Sequence, residues 1–314
     1  MHEVEFVLPT ERPFRLDLTV WVLRRRTKNI IDNWDGQTYR RVLSFGTPVL
    51  VTIRQESDNL IVKLNSSRKI SATRQTQLEQ LIRRMLGVNL NLSPFYKLSV
   101  NDPVLGVIVQ RFSGVKPPRF PSLFETIINA ISCQQLSLDA GIALLNRLAE
   151  NFGQPFTDGN LTLYSFPDPS ALSGAGDKEL RQLGFSRQKA RAINSLTFKL
   201  LNREIDLSRL ESDSSSLAVS RLQTISGIGR WSAEYVLLRG LGRLDVFPGD
   251  DIGGQNNLRK LLRLATRPSY DELNQLLINW RPYAGLIYFH LLLNRLYDKG
   301  LISTTRLSRD SMAE

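Results

Sequence analysis

Residues 222–235 read Leu-Gln-Thr-Ile-Ser-Gly-Ile-Gly-Arg-Trp-Ser-Ala-Glu-Tyr, two glycines around one aliphatic side chain with a helical pattern directly after them. Gly227 and Gly229 tolerate positive φ and carry no Cβ, so N–H groups at the following helix start can approach an anion closely. Ile228 between them is suited to anchor the turn in a core. Two structures fit this pattern: an ordinary αα-corner closed by glycine, or a helix–hairpin–helix that grips a phosphate without reading base sequence. Either one commits this part of the chain to packed helices.

The chain before it reads differently. Over about the first 90 residues, apolar side chains alternate with a period of two, the mark of half-buried strands. Leu16, Leu18, Val20 and Val22 predict one strand, Val49, Val51 and Ile53 a second, and Leu60, Val62 and Leu64 a third. Turn residues lie between the later two. A helix is predicted from Ser71, with a stripe of Leu78, Leu81, Ile82, Met85 and Leu86 and Gly87 as its closing residue.

From about residue 101 the strand signal stops and helical signals replace it. Ser122 with Glu125 three residues on predicts a capping box ahead of Phe124, Ile127, Ile128 and Ile131. Further helices are predicted over 140–151, 177–183, 187–201, 231–239 and 253–264. Ser269 and Glu272 form a second capping pair, and Pro282 opens a last helix that Gly300 ends. The expected organisation is α+β: a sheet-and-helix domain over 1–100, a helical domain over 101–302, and a mobile tail over 303–314.

Composition narrows the chemistry. The 314 residues hold one cysteine, Cys133, and two histidines, His2 and His290. That excludes an intramolecular disulfide and a cysteine-rich zinc or iron–sulfur site, and gives a Ser–His–Asp triad little to draw on. Lys and Arg number 41 against 30 for Asp and Glu, a net charge of +11 that favours polyanionic partners. No apolar run approaches the ~20 residues of a membrane span, and a reducing compartment is expected. His290 lies in an apolar stretch and reads as a satisfied core residue. Arg24-Arg25-Arg26 with Lys28 is the densest basic run and reads as a solvated strand end.

Sixteen residues after Gly229 comes Asp245-Val246-Phe247-Pro248-Gly249-Asp250-Asp251-Ile252-Gly253. On residue type alone, Asp250 and Asp251 are each suited to cap the helix that begins nearby. Taken together, Leu-x-x-Ile-x-Gly-Ile-Gly-x-Trp-Ser-Ala and Asp-x-Phe-Pro-x-x-Asp-x-Gly resemble the helix–hairpin–helix DNA glycosylase superfamily, in its 3-methyladenine DNA glycosylase II (AlkA-type) branch. The resemblance extends to Gln134-Gln135-Leu136-Ser137 and to Leu180-Arg181-x-x-Gly184-Phe185-Ser186-x-x-Lys189-Ala190, about 200 residues in all. It implies a helical domain of two lobes with the active site in the cleft between them.

The resemblance implies Asp251 as the catalytic carboxylate, with Asp250 as a cap or supporting acid. An ionised carboxylate beneath the sugar stabilises the cation that forms as an N-glycosidic bond breaks. Family members that also cut the strand carry a lysine two residues after the hairpin's last glycine; here that position is Trp231, so hydrolysis without lyase activity is expected. The iron–sulfur members need four C-terminal cysteines, which excludes an endonuclease III-like reading.

Trp231 and Tyr235 lie four apart, one helix face, a spacing that also suits core packing; the resemblance puts them beside a flipped base. The family's pocket tryptophan in the last helix is replaced by Leu292, leaving Trp21, Tyr283 or Tyr288 to supply further aromatic surface. The resemblance implies Gln135 as the inserting residue of a wedge loop, with Leu136 beside it. Gly227, Ile228, Gly229, Arg230, Lys189 and Arg187 are expected at the DNA backbone. A cation bridging carbonyls near Thr224 and Ser226 to phosphate is also implied, and no organic or redox cofactor. The expected protein is a monomer in the bacterial cytoplasm or a nucleus, excising alkylated purines of the 3-methyladenine and 7-methylguanine type from damaged duplex DNA. The alternatives are a glycosylase for oxidised or deaminated bases and a non-catalytic DNA-binding module.

Overall fold

The computed structural model describes residues 1–304; the rest of the expected tail, 305–314, lies outside the described residues. β1 (His2–Pro9) precedes α1 (Leu16–Arg24), and β2 (Asn33–Trp34), β3 (Thr38–Phe45), β4 (Thr47–Glu56) and β5 (Asn59–Ser66) complete a five-stranded sheet. Its order is β1-β5-β4-β3-β2, antiparallel throughout. Val51 faces Leu64 and Ile53 faces Val62 across β4 and β5, so the alternating apolar residues fall on one face as the sequence requires.

Helices follow: α2 (Ala72–Leu86), α3 (Ser93–Ser99), α4 (Leu105–Arg111), α5 (Leu123–Cys133) and α6 (Leu138–Phe152). A two-stranded hairpin, β6 (Pro155–Asp158) and β7 (Leu161–Tyr164), interrupts them. The chain continues with α7 (Pro169–Leu172), α8 (Asp177–Gln182), α9 (Arg187–Leu201), α10 (Ser215–Gln223) and α11 (Arg230–Val236), the last running into a π-helical turn, Leu237–Leu241. It ends with α12 (Ile252–Leu261), α13 (Tyr270–Leu276) and α14 (Ala284–Asp298). The α+β class matches the expectation. Ser71 caps α2 through Arg74 N, and Gly87 closes it at φ 61°. At α13 the Ser269–Glu272 capping box is complete.

The predicted strand over Leu16, Leu18, Val20 and Val22 is helix α1. Leu16, Val20 and Leu23 enter the core under the sheet, while Leu18, Trp21 and Val22 enter a second core against α14. A helix buried between two cores carries two apolar stripes, and their sum imitates alternation. Four further expectations need correction. Strand structure does return after residue 101, because β6 and β7 lay Phe156 and Leu163 on Val42 and Leu50 of the sheet's other face. The Ser122–Glu125 capping box forms only in half: Ser122 accepts from Glu125 N, but the Glu125 carboxylate turns to Arg41. Arg24 and Arg25 are not a solvated strand end, since both are 5% exposed at the end of α1. His290 is fully buried, yet only Nδ1 finds a partner, the Leu286 carbonyl at 2.7 Å, and Nε2 has none.

Buried apolar packing does not break near residue 100. The first core runs from the sheet and α2 through α5, α6 and α9 to α11, and the second joins α1, α3 and α4 to α13 and α14. Where these bodies meet, a cleft opens.

Candidate active site and nucleic-acid interface

The cleft measures 1270 Å³ and is walled by four segments: the 133–139 loop, the glycine hairpin with α11, the start of α12 with α14, and the end of α1. At the hairpin, Gly227 takes φ 84°, and a Cβ there would lie 2.7 Å from the Ala192 side chain. Ile228 is 6% exposed and anchors the turn in the first core. Gly229 is the N-cap of α11 with an ordinary φ of −95°, and a Cβ would meet nothing within 4 Å. The first glycine is thus required by conformation, whereas the second keeps open the approach to the α11 N–H groups.

Asp251 opens α12 and holds three hydrogen bonds. Its Oδ1 caps the helix by accepting from Gly254 N at 2.6 Å. Its Oδ2 accepts from Trp231 Nε1 at 3.0 Å and from the Tyr288 hydroxyl at 3.1 Å. A carboxylate at a helix start is favoured by the helix dipole, and these donors fix its orientation. Asp251 is thus both the N-cap of α12 and a carboxylate in the cleft wall.

Asp250 does not cap. It pairs with Arg230 at 2.7 and 2.9 Å, and the Arg230 guanidinium lies 3.9 Å over the Tyr270 ring. That hydrogen-bonded carboxylate raises the Arg230 pKa. The loop carrying both acids is braced from within: buried Glu234 accepts from Gly249 N at 3.0 Å and from the Tyr270 hydroxyl at 2.7 Å, and Gln255 donates to Gly249 O at 2.8 Å. Burial pushes the Glu234 carboxyl up. Motif spacing did not single out Glu234, Gln255 or Tyr270; the one signal was an acid placed beside Trp231, Leu237 and Leu238 on its helix face.

Trp231 and Tyr235 stack with centroids 5.4 Å apart and planes 30° apart, bringing the two together as expected. Tyr235 is 3% exposed, and its hydroxyl accepts from Arg25 Nη1 at 2.9 Å. Leu292 and Tyr288 of α14 line the same cleft. Trp21 is instead buried in the second core and Tyr283 packs on Phe95, so of the three candidate aromatics only Tyr288 reaches the cleft.

In the 133–137 loop, Gln135 adopts φ 54° and is exposed, with Leu136 46% exposed beside it. Gln134 ties the loop to the hairpin, donating to Gly227 O at 2.8 Å and Ser232 Oγ at 2.6 Å. Lys189 ties it from behind: Nζ donates to Ser132 O at 3.0 Å and Gln134 O at 2.7 Å. Its ammonium therefore serves the loop's backbone. Arg187 lies apart from the cleft lining, in a basic concavity with Lys178, Arg181 and Arg191.

Among the described residues no group of three or more His, Cys, Asp or Glu side chains could hold a metal. The hairpin's turn bonds run to the Leu222 and Ile225 carbonyls. Those of Thr224 and Ser226 are neutral oxygen donors, a set that suits a hard cation. No helix among the described residues is long and apolar enough to cross a membrane.

Residues 128–282 match the HhH-GPD superfamily base excision DNA repair protein family. The DNA-3-methyladenine glycosylase of Bacillus subtilis (strain 168) is 23% identical over 295 residues, covering 92% of this chain and 97% of that protein. A solved 3-methyladenine DNA-glycosylase from Archaeoglobus fulgidus superposes with a TM-score of 0.81 at 25% identity, over 93% of this chain and 98% of that one. The Clostridium acetobutylicum 8-oxoguanine glycosylase/lyase, in complex with double-stranded DNA, reaches a TM-score of 0.76 at 14% identity over 95% and 99% of the two chains, a likeness of fold alone.

Proposed function

Residues 128–282 are an HhH-GPD domain of the base excision DNA repair superfamily, and from that premise we propose that the chain is a DNA glycosylase that excises alkylated bases from damaged duplex DNA. The observation that carries the reading is Asp251, a carboxylate held by Gly254 N, Trp231 Nε1 and the Tyr288 hydroxyl at the wall of a cleft. The full-length likeness to 3-methyladenine DNA glycosylases supports the alkylated-base assignment.

A base buried in the duplex must leave the stack to reach the cleft, at a cost of a few kcal/mol that is least for damaged pairs. The exposed tip of Gln135 and Leu136 fills the vacancy, stiffened by the bonds from Gln134 and Lys189. The flipped base stacks near Trp231 and Tyr235; where alkylation has made it cationic, each aromatic contact adds about 0.5–2 kcal/mol. As the glycosidic bond breaks, positive charge builds on the sugar, and ionised Asp251 stabilises it. Water then adds at C1′, leaving an abasic site.

Trp231 supplies no amine to form a Schiff base with the sugar, so the reaction stops at hydrolysis. The α11 N–H groups behind Gly229 and the Arg230 side chain engage the DNA backbone. Carbonyls of Thr224 and Ser226 would hold a hard cation, which would supply positive charge toward the DNA backbone.

The test is release of free bases from DNA treated with a methylating agent, wild type against Asp251→Asn. Release of 3-methyladenine or 7-methylguanine by the wild type alone establishes reaction and residue together. If wild type binds duplex but releases neither base, the reading fails.

A further inference from the structure

Beneath the stacked pair of Trp231 and Tyr235 lies an arginine that the hydrolytic reading leaves unused. Arg25 closes α1 in the left-handed region, φ 61° and ψ −24°, a conformation that strains a residue with a Cβ. It is held there by its head group. Nη1 donates to the Tyr235 hydroxyl at 2.9 Å and Nη2 to Asn129 Oδ1 at 2.6 Å. Arg25 is 5% exposed, lines the cleft, and makes no ion pair among the described residues; its Nε is buried without a partner. A second buried guanidinium, Arg239, lies 5.9 Å from the Tyr235 ring centroid and likewise has no carboxylate partner among them. Its Nη1 donates to Val22 O at 3.0 Å, at the end of the same helix.

Isolated charges inside a protein are costly unless something uses them. A hydroxyl that accepts from a guanidinium becomes a stronger donor through its own proton. The Tyr235 proton has no acceptor among the described residues, and the side chain lines the cleft.

Resting on the glycosylase reading above, we propose that Arg25 is a positioning residue for uncharged leaving bases, acting through the Tyr235 hydroxyl. A cationic alkylated base departs neutral and needs no help. An uncharged base is different: the C1′–N bond breaks heterolytically, its electron pair stays on the base nitrogen, and the base departs as an anion. The Tyr235 hydroxyl hydrogen-bonds that anion, and the positive floor of Arg25 and Arg239 stabilises it. Water oxygen bonds to C1′, its proton passes to the Asp251 carboxylate, and the released anion takes a proton from solvent.

The test compares single-turnover excision of hypoxanthine, uncharged, and 7-methylguanine, cationic, from otherwise identical duplexes. Arg25→Gln should slow hypoxanthine release about tenfold or more while changing 7-methylguanine release less than about threefold, and Arg25→Lys should restore part of the difference. Asn129→Ala, which removes the acceptor that orients Arg25 Nη2 and lies outside the stacked pair, should reproduce part of the selective loss and carries the test if Arg25→Gln does not fold. Parallel loss on both substrates would make Arg25 purely structural and overturn the proposal. So would wild-type release of 7-methylguanine without hypoxanthine, which leaves the alkylated-base reading standing; release of neither base defeats that reading first.

Discussion

Trp231, the second residue of α11, donates its indole N–H to Oδ2 of Asp251, the cap of α12, at 3.0 Å. One hydrogen bond thereby joins the glycine hairpin to the acidic loop, two motifs that lie 20 residues apart in sequence. The aromatic side of the cleft and its carboxylate are therefore set in a common frame, and Tyr288 closes it from α14.

Because Asp251 is both cap and carboxylate, two substitutions separate its roles. Asp251→Asn keeps an oxygen for Gly254 N and removes the charge, so base release should fall by about 10²–10³ or more with duplex affinity and melting temperature retained. Asp251→Ala loses the cap as well, and its melting should show a further loss of about 1 kcal/mol. Asp250→Asn, away from the cap, should leave excision within a few-fold of wild type by the same assay. Equal loss in the two Asn variants would contradict the assignment.

The hairpin glycines should differ. Gly227→Ala places a side chain at φ 84° and 2.7 Å from Ala192 Cβ, so it should destabilise the fold and weaken duplex binding together. Gly229→Ala meets nothing within 4 Å in the free protein. Its melting should be near wild type, and any loss of duplex affinity then reports the close approach of phosphate. Affinity titrations at several salt concentrations alongside thermal melts check both.

A buried ion cluster ties the sheet to the helices. Arg41 of β3 bonds Asp32 at 2.6 Å and both Glu125 oxygens at 2.6 Å, with every side chain at 5% exposure or less. Arg41→Met leaves two buried carboxylates without their cation and should cost about 3–5 kcal/mol in chemical denaturation. An unchanged midpoint would show that the cluster contributes nothing to stability.

Burial pushes the His290 pKa down from 6.5 to about 4. In the unfolded chain the ring takes a proton below pH ~6.5, while in the folded chain it resists protonation down to about 4. The unfolded state thus binds more protons in this window, and stability falls as pH drops from about 6.5 towards 4, by at most about 3 kcal/mol. His290→Gln should flatten that acid limb in denaturation curves between pH 7 and 4.5. An acid limb as steep in the variant would assign the loss to other groups.

Local rules made much of this molecule legible. The strands of β4 and β5, the caps at Ser71 and Ser269 and the glycine hairpin depend on residues within a few positions of one another, so periodicity and turn chemistry specify them. The pairing of Gly-Ile-Gly with Phe-Pro-Gly-Asp-Asp pointed to the family and to two of the four segments that wall the cleft. Long-range burial decided the rest. α1 hides its period because two cores claim opposite faces, and Arg24 and Arg25 looked solvated because a run of charges carries no record of what will pack over it. The Glu125 side chain left its predicted capping box for Arg41, since a buried cation outweighs a backbone N–H. Lys189 and Arg25 work on partners more than 50 and 200 residues away, respectively. Such contacts have no spacing to read, and only the packing of distant segments brings them together.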